Sequence, residues 1–293
     1  MQRHLPLLPV AMTLFGIGLL SLMDAVMKGV ALELGAYNAT LFRSAMGVAI
    51  IAPIWLMGGG RWPRIDVLKG HITRGLVGSM MALTFFYSLT KLPLAEAIAI
   101  SFIAPVVSLY LAAVLLHERI RPQAIWGAML GLMGTLVIVG GKFDRGYLDS
   151  DTWLGLAAIA VSALLYAWNL VLQRKQAQVA KPAEMTTFYM AMAVLVYLPA
   201  APWLMHMPPA AELRAVAIVA MLSVAGALTM SWAYARAETQ VLAPLEYTGF
   251  LWASLFGWVL LNEKVTITTI AGAALIVIGC VWATRGRPEQ SAI

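Results

Sequence analysis

Ten apolar runs, most near twenty residues long, follow one another along the chain, separated by short clusters of helix breakers. They cover residues 8–29, 37–57, 70–90, 94–117, 122–140, 152–173, 184–203, 212–234, 242–261 and 266–284. A helix crossing a bilayer core needs about 20 apolar residues. In lipid the backbone must satisfy its own hydrogen bonds, and a helix does so within one segment. The pattern therefore predicts an all-α membrane protein with ten transmembrane helices. The runs are twice as long as a barrel strand and do not alternate, which argues against a β-barrel. Gly58-Gly59-Gly60 with Pro63, Lys91-Leu92-Pro93, Arg121-Pro122, Lys181-Pro182 and Pro208-Pro209 all fall between runs. The break at Asn262-Glu263-Lys264 is so short that spans nine and ten are expected to be antiparallel neighbours.

Composition supports a lipid solvent. Charged residues make up 12% of the chain and hydrophobic ones 61%, against about 25% charged in soluble domains. This excludes a cytosolic enzyme, a disordered regulator and a secreted disulfide scaffold. The single cysteine, Cys280, has no intrachain partner. The net charge of +6 is spread over many connectors, so it reads as an orientation signal and not as a nucleic-acid surface. With a cytoplasmic N-terminus, 13 Lys and Arg, Arg74 among them, fall in inside segments and 6 in outside ones, with Arg43 within a span. The positive-inside rule then puts both termini in the cytoplasm. The beginning, with Arg3, His4 and then Asp24 in the apolar run, reads as a retained first span, not a cleaved signal.

An internal repeat sets the domain organisation. Leu115-Leu116-His117-Glu118-Arg119-Ile120 and Leu260-Leu261-Asn262-Glu263-Lys264-Val265 lie 145 residues apart. The same offset carries Gly127 onto Gly272, Gly134 onto Gly279, Asp24 onto Asn169 and Lys28 onto Gln173. Two five-helix halves follow, 1–145 and 146–293. Five is odd, so the second half enters the membrane in the opposite sense, as transporter repeats do when they alternate access to a central site. These segments resemble the ends of the repeats in the drug/metabolite transporter superfamily, EamA type: Leu-Leu-x-Glu-[Arg/Lys], then a glycine, then another seven residues later. Leu41-Phe42-Arg43 is similar to that family's second-helix arginine. Overall the chain resembles most the aromatic amino-acid exporters. The resemblance implies ten helices, cytoplasmic termini and export of small metabolites from the cell across the inner (plasma) membrane.

Ionisable groups within spans need an account. Asp24 and Arg43 each lie about 8–9 Å from the outer end of their span, at 1.5 Å per residue. Matching depths predict that they face each other, as a fixed ion pair or as a vestibule charge. Glu96 and Glu246 begin spans four and nine, where they either cap a helix N-terminus or line a cavity. Helical spacing puts Glu96, Ile100, Ala104 and Ser108 on one face, and Glu246, Phe250, Ser254 and Gly257 on another. Ser162, Tyr166, Asn169 and Gln173 form a polar stripe on span six that lipid would penalise. Ser79 and Phe86 on span three and Met230 on span eight are further candidates. Trp168 and Trp232 read as interfacial belt residues. Gly127, Gly131, Gly134, Gly272 and Gly279 permit close helix approach, within the chain or in a homodimer, and Pro105 is a candidate hinge.

No G-x-x-x-x-G-K-[ST] and no H-E-x-x-H occurs, so the expectation is a non-enzyme with no cofactor and no metal. The predicted partners are a small-molecule substrate and the lipid bilayer. The reading is a secondary transporter of small organic metabolites, foremost neutral or aromatic amino acids. Its cavity would be lined by spans one, three, four, six, eight and nine. The alternatives are a passive facilitator of amino acids or amines and a nucleotide-sugar carrier. The latter wants deep basic residues, and Arg43 is the one clear candidate.

Overall fold

The computed structural model describes residues 7–92, 94–101, 103–117, 120–140, 150–261 and 267–284. The helices are α1 (Leu7–Met57), α2 (Ile65–Lys91), α3 (Leu94–Ser101), α4 (Ile103–Leu115), α5 (Pro122–Gly140) and α6 (Ser150–Ala177). They continue as α7 (Pro182–Tyr197), α8 (Ala201–Leu204), α9 (Ala210–Tyr234), α10 (Thr239–Leu242), α11 (Thr248–Leu261) and α12 (Ile267–Thr284). Among the described residues, five stretches are long and apolar enough to cross a membrane: Leu7–Met57, Ile65–Lys91, Trp153–Ala177, Pro182–Leu204 and Ala210–Tyr234.

The first of these is two helices in one. At Gly35 the backbone takes φ 78 and ψ 153, a conformation open to glycine and strained for other residues. The arms fold back on each other. Arg43 on the second arm donates to the Met23 thioether on the first at 3.9 Å, whereas twenty residues of straight helix would separate them by about 30 Å. The first arm thus runs past the expected end at residue 29 to the turn itself.

Prolines interrupt two other expected spans. Leu198–Ala200, with Pro199, is a 3-10 turn between α7 and α8. Ala243–Tyr247, with Pro244, is another between α10 and α11. Proline removes an N–H that a continuing α-helix would use. Glu246 therefore sits on the 3-10 turn, ahead of α11, and not on one continuous helix face with Phe250, Ser254 and Gly257 as the sequence suggested.

Packing repeats under the 145-residue offset. The first arm of α1 packs on α9 as α6 packs on α2, and α6 meets α4 as α1 meets α11. α5 and α12 approach backbone to backbone. A Cβ on Gly134 would lie 2.6 Å from the Gly272 carbonyl oxygen, and one on Gly279 would lie 2.7 Å from that of Gly127. The 145-residue offset turns the first contact into the second, a two-fold exchange between antiparallel helices. The glycines therefore serve packing within the chain. Spans nine and ten, expected to be antiparallel neighbours, do touch as α11 and α12, but α12 packs chiefly on α5. Residues 118–119 and 262–266, which hold Glu118 and Glu263 of the repeated motif, lie outside the described residues.

Gly134→Ala and Gly279→Ala should each lower the thermal unfolding midpoint of the detergent-purified protein. An overpacked contact costs about 1–3 kcal/mol. Gly29→Ala, where an added Cβ meets nothing within 4 Å, should not lower it. Unchanged midpoints for both α5–α12 variants would contradict the close contact.

Candidate functional site

Where α1, α2, α3, α6, α7, α9 and the 3-10 turn before α11 converge, they enclose a cavity of about 240 Å3. Two apolar clusters meet there. Met23, Ala82 and Phe86 belong to one, and Ile17, Leu170 and Met230 to the other. The polar stripe of α6 faces this cavity, and Ser162, Tyr166, Asn169 and Gln173 all line it. Spacing of three and four residues puts them on one helix face, and the cavity gives that face its polar surroundings.

Two carboxylates and two guanidiniums share the cavity: Asp24, Glu246, Arg43 and Arg74. Glu246 is only 6% exposed. Tyr166 donates its hydroxyl to one carboxylate oxygen at 2.6 Å, and Tyr234 donates to the other at 3.1 Å. Two tyrosines therefore hold Glu246, and N-terminal capping of α11 is not what these bonds do. Arg43 is 6% exposed and Arg74 is 5% exposed. The Arg43 guanidinium lies 5.4 Å from the Phe86 ring centroid, and that of Arg74 lies 4.7 Å from the Tyr189 ring centroid. Arg74 also donates to Gln173 at 2.9 Å and to Gln176 at 3.5 Å. Asp24 and Arg43 line the same cavity, but no direct ion pair closes between them, so the fixed-pair form of that expectation does not hold.

Four buried polar atoms on the cavity wall have no hydrogen-bond partner: Nε of Arg43, Nε of Arg74, Oδ1 of Asn169 and Oγ of Ser223. Buried polar groups are ordinarily satisfied, and a buried charge strongly favours a partner.

The sequence candidates divide clearly. Asp24, Arg43, Phe86, Tyr166, Asn169, Met230 and Glu246 line the cavity. Ser79 does not; its hydroxyl bonds to the Gly75 carbonyl oxygen at 2.6 Å. Ser108 donates back to the Pro105 carbonyl oxygen at 2.8 Å, and Phe250 is buried in the apolar cluster around Ile17 and Tyr247. The side chain of Glu96 lies outside the described residues. In the stretch read as span four, Ile98 and Ser101 face the cavity instead of the Ile100–Ala104–Ser108 stripe. All six spans expected to line the cavity contribute, and Arg43 on the second arm of α1 and Tyr189 and Met190 on α7 add two more walls.

Arg74 was missed because it was counted among the inside connector charges. The helix signal was present: Pro63 precedes α2 and Asp66 sits in its first turn, which starts the helix early enough to put Arg74 more than two turns inside. Trp252 packs against α1 beside Gly18.

Below Arg74, a chain of hydrogen bonds ties α2, α6 and α7 together. Gln176 bridges Arg74 to His71 Nδ1 at 3.2 Å, and His71 Nε2 meets Glu184 at 3.0 Å. The His71 ring stacks on Phe188 with centroids 4.7 Å apart. A neutral imidazole protonated at Nε2 satisfies every member of this chain. Among the described residues no cluster of three metal-ligating side chains occurs.

Comparison with known proteins places this geometry. The EamA-like transporter family matches the chain twice, over residues 7–140 and 153–285. The chain belongs to the EamA-like transporter family. This EamA protein is 27% identical over 267 residues to a pseudopaline exporter of Pseudomonas aeruginosa, covering 90% of this chain and 92% of that one. It is 23% identical over 260 residues to an S-adenosylmethionine uptake transporter of Rickettsia prowazekii, covering 88% and 85%. It is 31% identical over 122 residues to an aromatic amino acid exporter of Ancylobacter novellus, covering 41% and 42%. Membership makes it a membrane transporter of the drug/metabolite superfamily with a small-molecule substrate, and the relatives differ in both substrate and direction.

Tyr166→Phe removes the 2.6 Å bond to Glu246 while keeping the ring. It should destabilise the protein by about 1.5–3 kcal/mol, the range for a hydrogen bond to a charged group. Tyr234→Phe should cost less, because its bond is longer. Thermal unfolding in detergent measures both.

Proposed function

We propose that this EamA transporter exports small organic zwitterions of the amino-acid class, with neutral and aromatic amino acids as its first candidates. It does so as a secondary transporter, by alternating access between two inverted five-helix halves, 1–145 and 146–293. In this reading ten helices cross the inner membrane and both termini lie in the cytoplasm. The observation that carries the substrate reading is the cavity wall: two carboxylates and two guanidiniums, formally balanced, with unsatisfied buried atoms beside them. A substrate amine would answer Asp24 and Glu246, a substrate carboxylate would answer Arg43, and Phe86 and Tyr166 offer faces for a ring.

The exchange of contacts between α5 and α12 supports the inverted arrangement. Two copies related by an axis in the membrane plane must meet as antiparallel helices with reciprocal contacts, and Gly134–Gly272 and Gly279–Gly127 are such a pair. Arg74 gives the nucleotide-sugar alternative the second deep cation it lacked. Asp24 and Glu246 in the same cavity would repel a phosphorylated ligand, so that reading ranks second.

In proteoliposomes, phenylalanine or tryptophan should undergo saturable counterflow and be stimulated by substrate on the far side. Asp24→Asn and Glu246→Gln should each slow it at least about tenfold, the equivalent of one charge-assisted interaction. Flux that neither saturates nor responds to far-side substrate would mark a passive facilitator. Movement of phosphorylated compounds alone would overturn the substrate class.

A further inference from the structure

Arg74 is the buried cation that an ordinary amino acid leaves unanswered. Arg74 is 5% exposed, lines the cavity and, among the described residues, has no carboxylate within ion-pair distance. Its partners are two neutral amide oxygens and the Tyr189 ring, and Nε has no acceptor. The polar face of α6 carries a contact to this cation at one end and to the acidic group at the other. Tyr166 marks the acidic end through its bond to Glu246, and Gln173 marks the basic end through its bond to Arg74. Seven helical residues separate the two by about 10 Å.

An α-amino acid carries its amine and carboxylate on one carbon. Seated at the acidic end with Asp24, Glu246 and Arg43, that group leaves Arg74, whose partner Gln173 stands two helical turns along α6 from Tyr166, without an anion. The geometry points to a second anion subsite at Arg74, which receives a carboxylate at the far end of an elongated substrate. Within the amino-acid class, a member bearing a second carboxylate on the order of 10 Å from its amine is then held more tightly than its neutral counterpart. Gln173 and Gln176 use two of the five guanidinium N–H groups, and the free Nε–H, with a neighbouring terminal N–H, fits a planar carboxylate. Leu170 and Met190 supply apolar wall for the linking chain. This assignment rests on the transport reading above and adds length and charge to its substrate.

Two lysine derivatives test it. Nε-succinyl-L-lysine carries the distal carboxylate, and Nε-acetyl-L-lysine is its neutral counterpart. Titrated by thermal shift into the full-length protein in detergent, the succinyl compound should bind at least about tenfold tighter, as one charge-assisted hydrogen bond would give. Arg74→Gln should bring the ratio close to one, and Arg74→Lys should keep part of it. Equal binding of the two compounds by the unaltered protein would overturn the subsite, as would a preference that survives Arg74→Gln. The comparison in the unaltered protein needs no variant, so a misfolded Arg74→Gln does not shelter the proposal. If phenylalanine still undergoes saturable counterflow while the two derivatives bind alike, only the subsite fails. If no amino acid exchanges and neither derivative binds, the transport reading fails with it.

Discussion

A charge buried in an apolar helix bundle must find a partner or carry a large desolvation cost. That constraint organises this protein. Asp24, Arg43, Arg74 and Glu246 come from four separate stretches of a chain with only 12% charged residues, yet they line one cavity. Two of the four are held by neighbours that fix their position without neutralising them: tyrosine hydroxyls at Glu246 and glutamine oxygens at Arg74. The cavity thus keeps its charges available while the rest of the bundle stays apolar.

The helices deliver those groups through close backbone approach. Glycine–carbonyl contacts hold α5 against α12, Gly16 and Gly226 bring the first arm of α1 onto α9, and Gly75 and Gly78 accept Met192 and Tyr189 of α7. Where the cavity needs a carboxylate, the helix gives way to a 3-10 turn, and Glu246 lies on it. Irregular backbone at that depth is tolerated where it lines a cavity inside protein.

Much of this was legible in the sequence, and the losses have physical causes. Apolar run length located the helices, because lipid leaves the backbone little alternative. The α6 stripe was legible because four polar residues at helical spacing in an apolar run can face only protein or water. The 145-residue offset anticipated the α5–α12 glycines, though not that they would meet each other. Ser79, Ser108 and Phe250 were misread, since a serine in an apolar helix can satisfy itself on its own backbone and spacing alone does not choose a face. Arg74 was lost because, one turn into the expected run 70–90, it was counted with the connector charges, whereas α2 begins at Ile65 and carries it well inside the helix. Tyr189 carried no signal, because an aromatic in an apolar run looks the same on the cavity side as on the lipid side.

The account stands on the two halves being threaded in opposite directions. Trp62 and Met207 are equivalent positions under the 145-residue offset, and both are exposed, at 74% and 73%. In a Cys280→Ser background, a membrane-impermeant thiol reagent applied to intact cells should label Met207→Cys. It should reach Trp62→Cys only after the membrane is opened. Labelling of both positions from the same side would contradict the inverted arrangement, and with it the shared cavity as a site of alternating access.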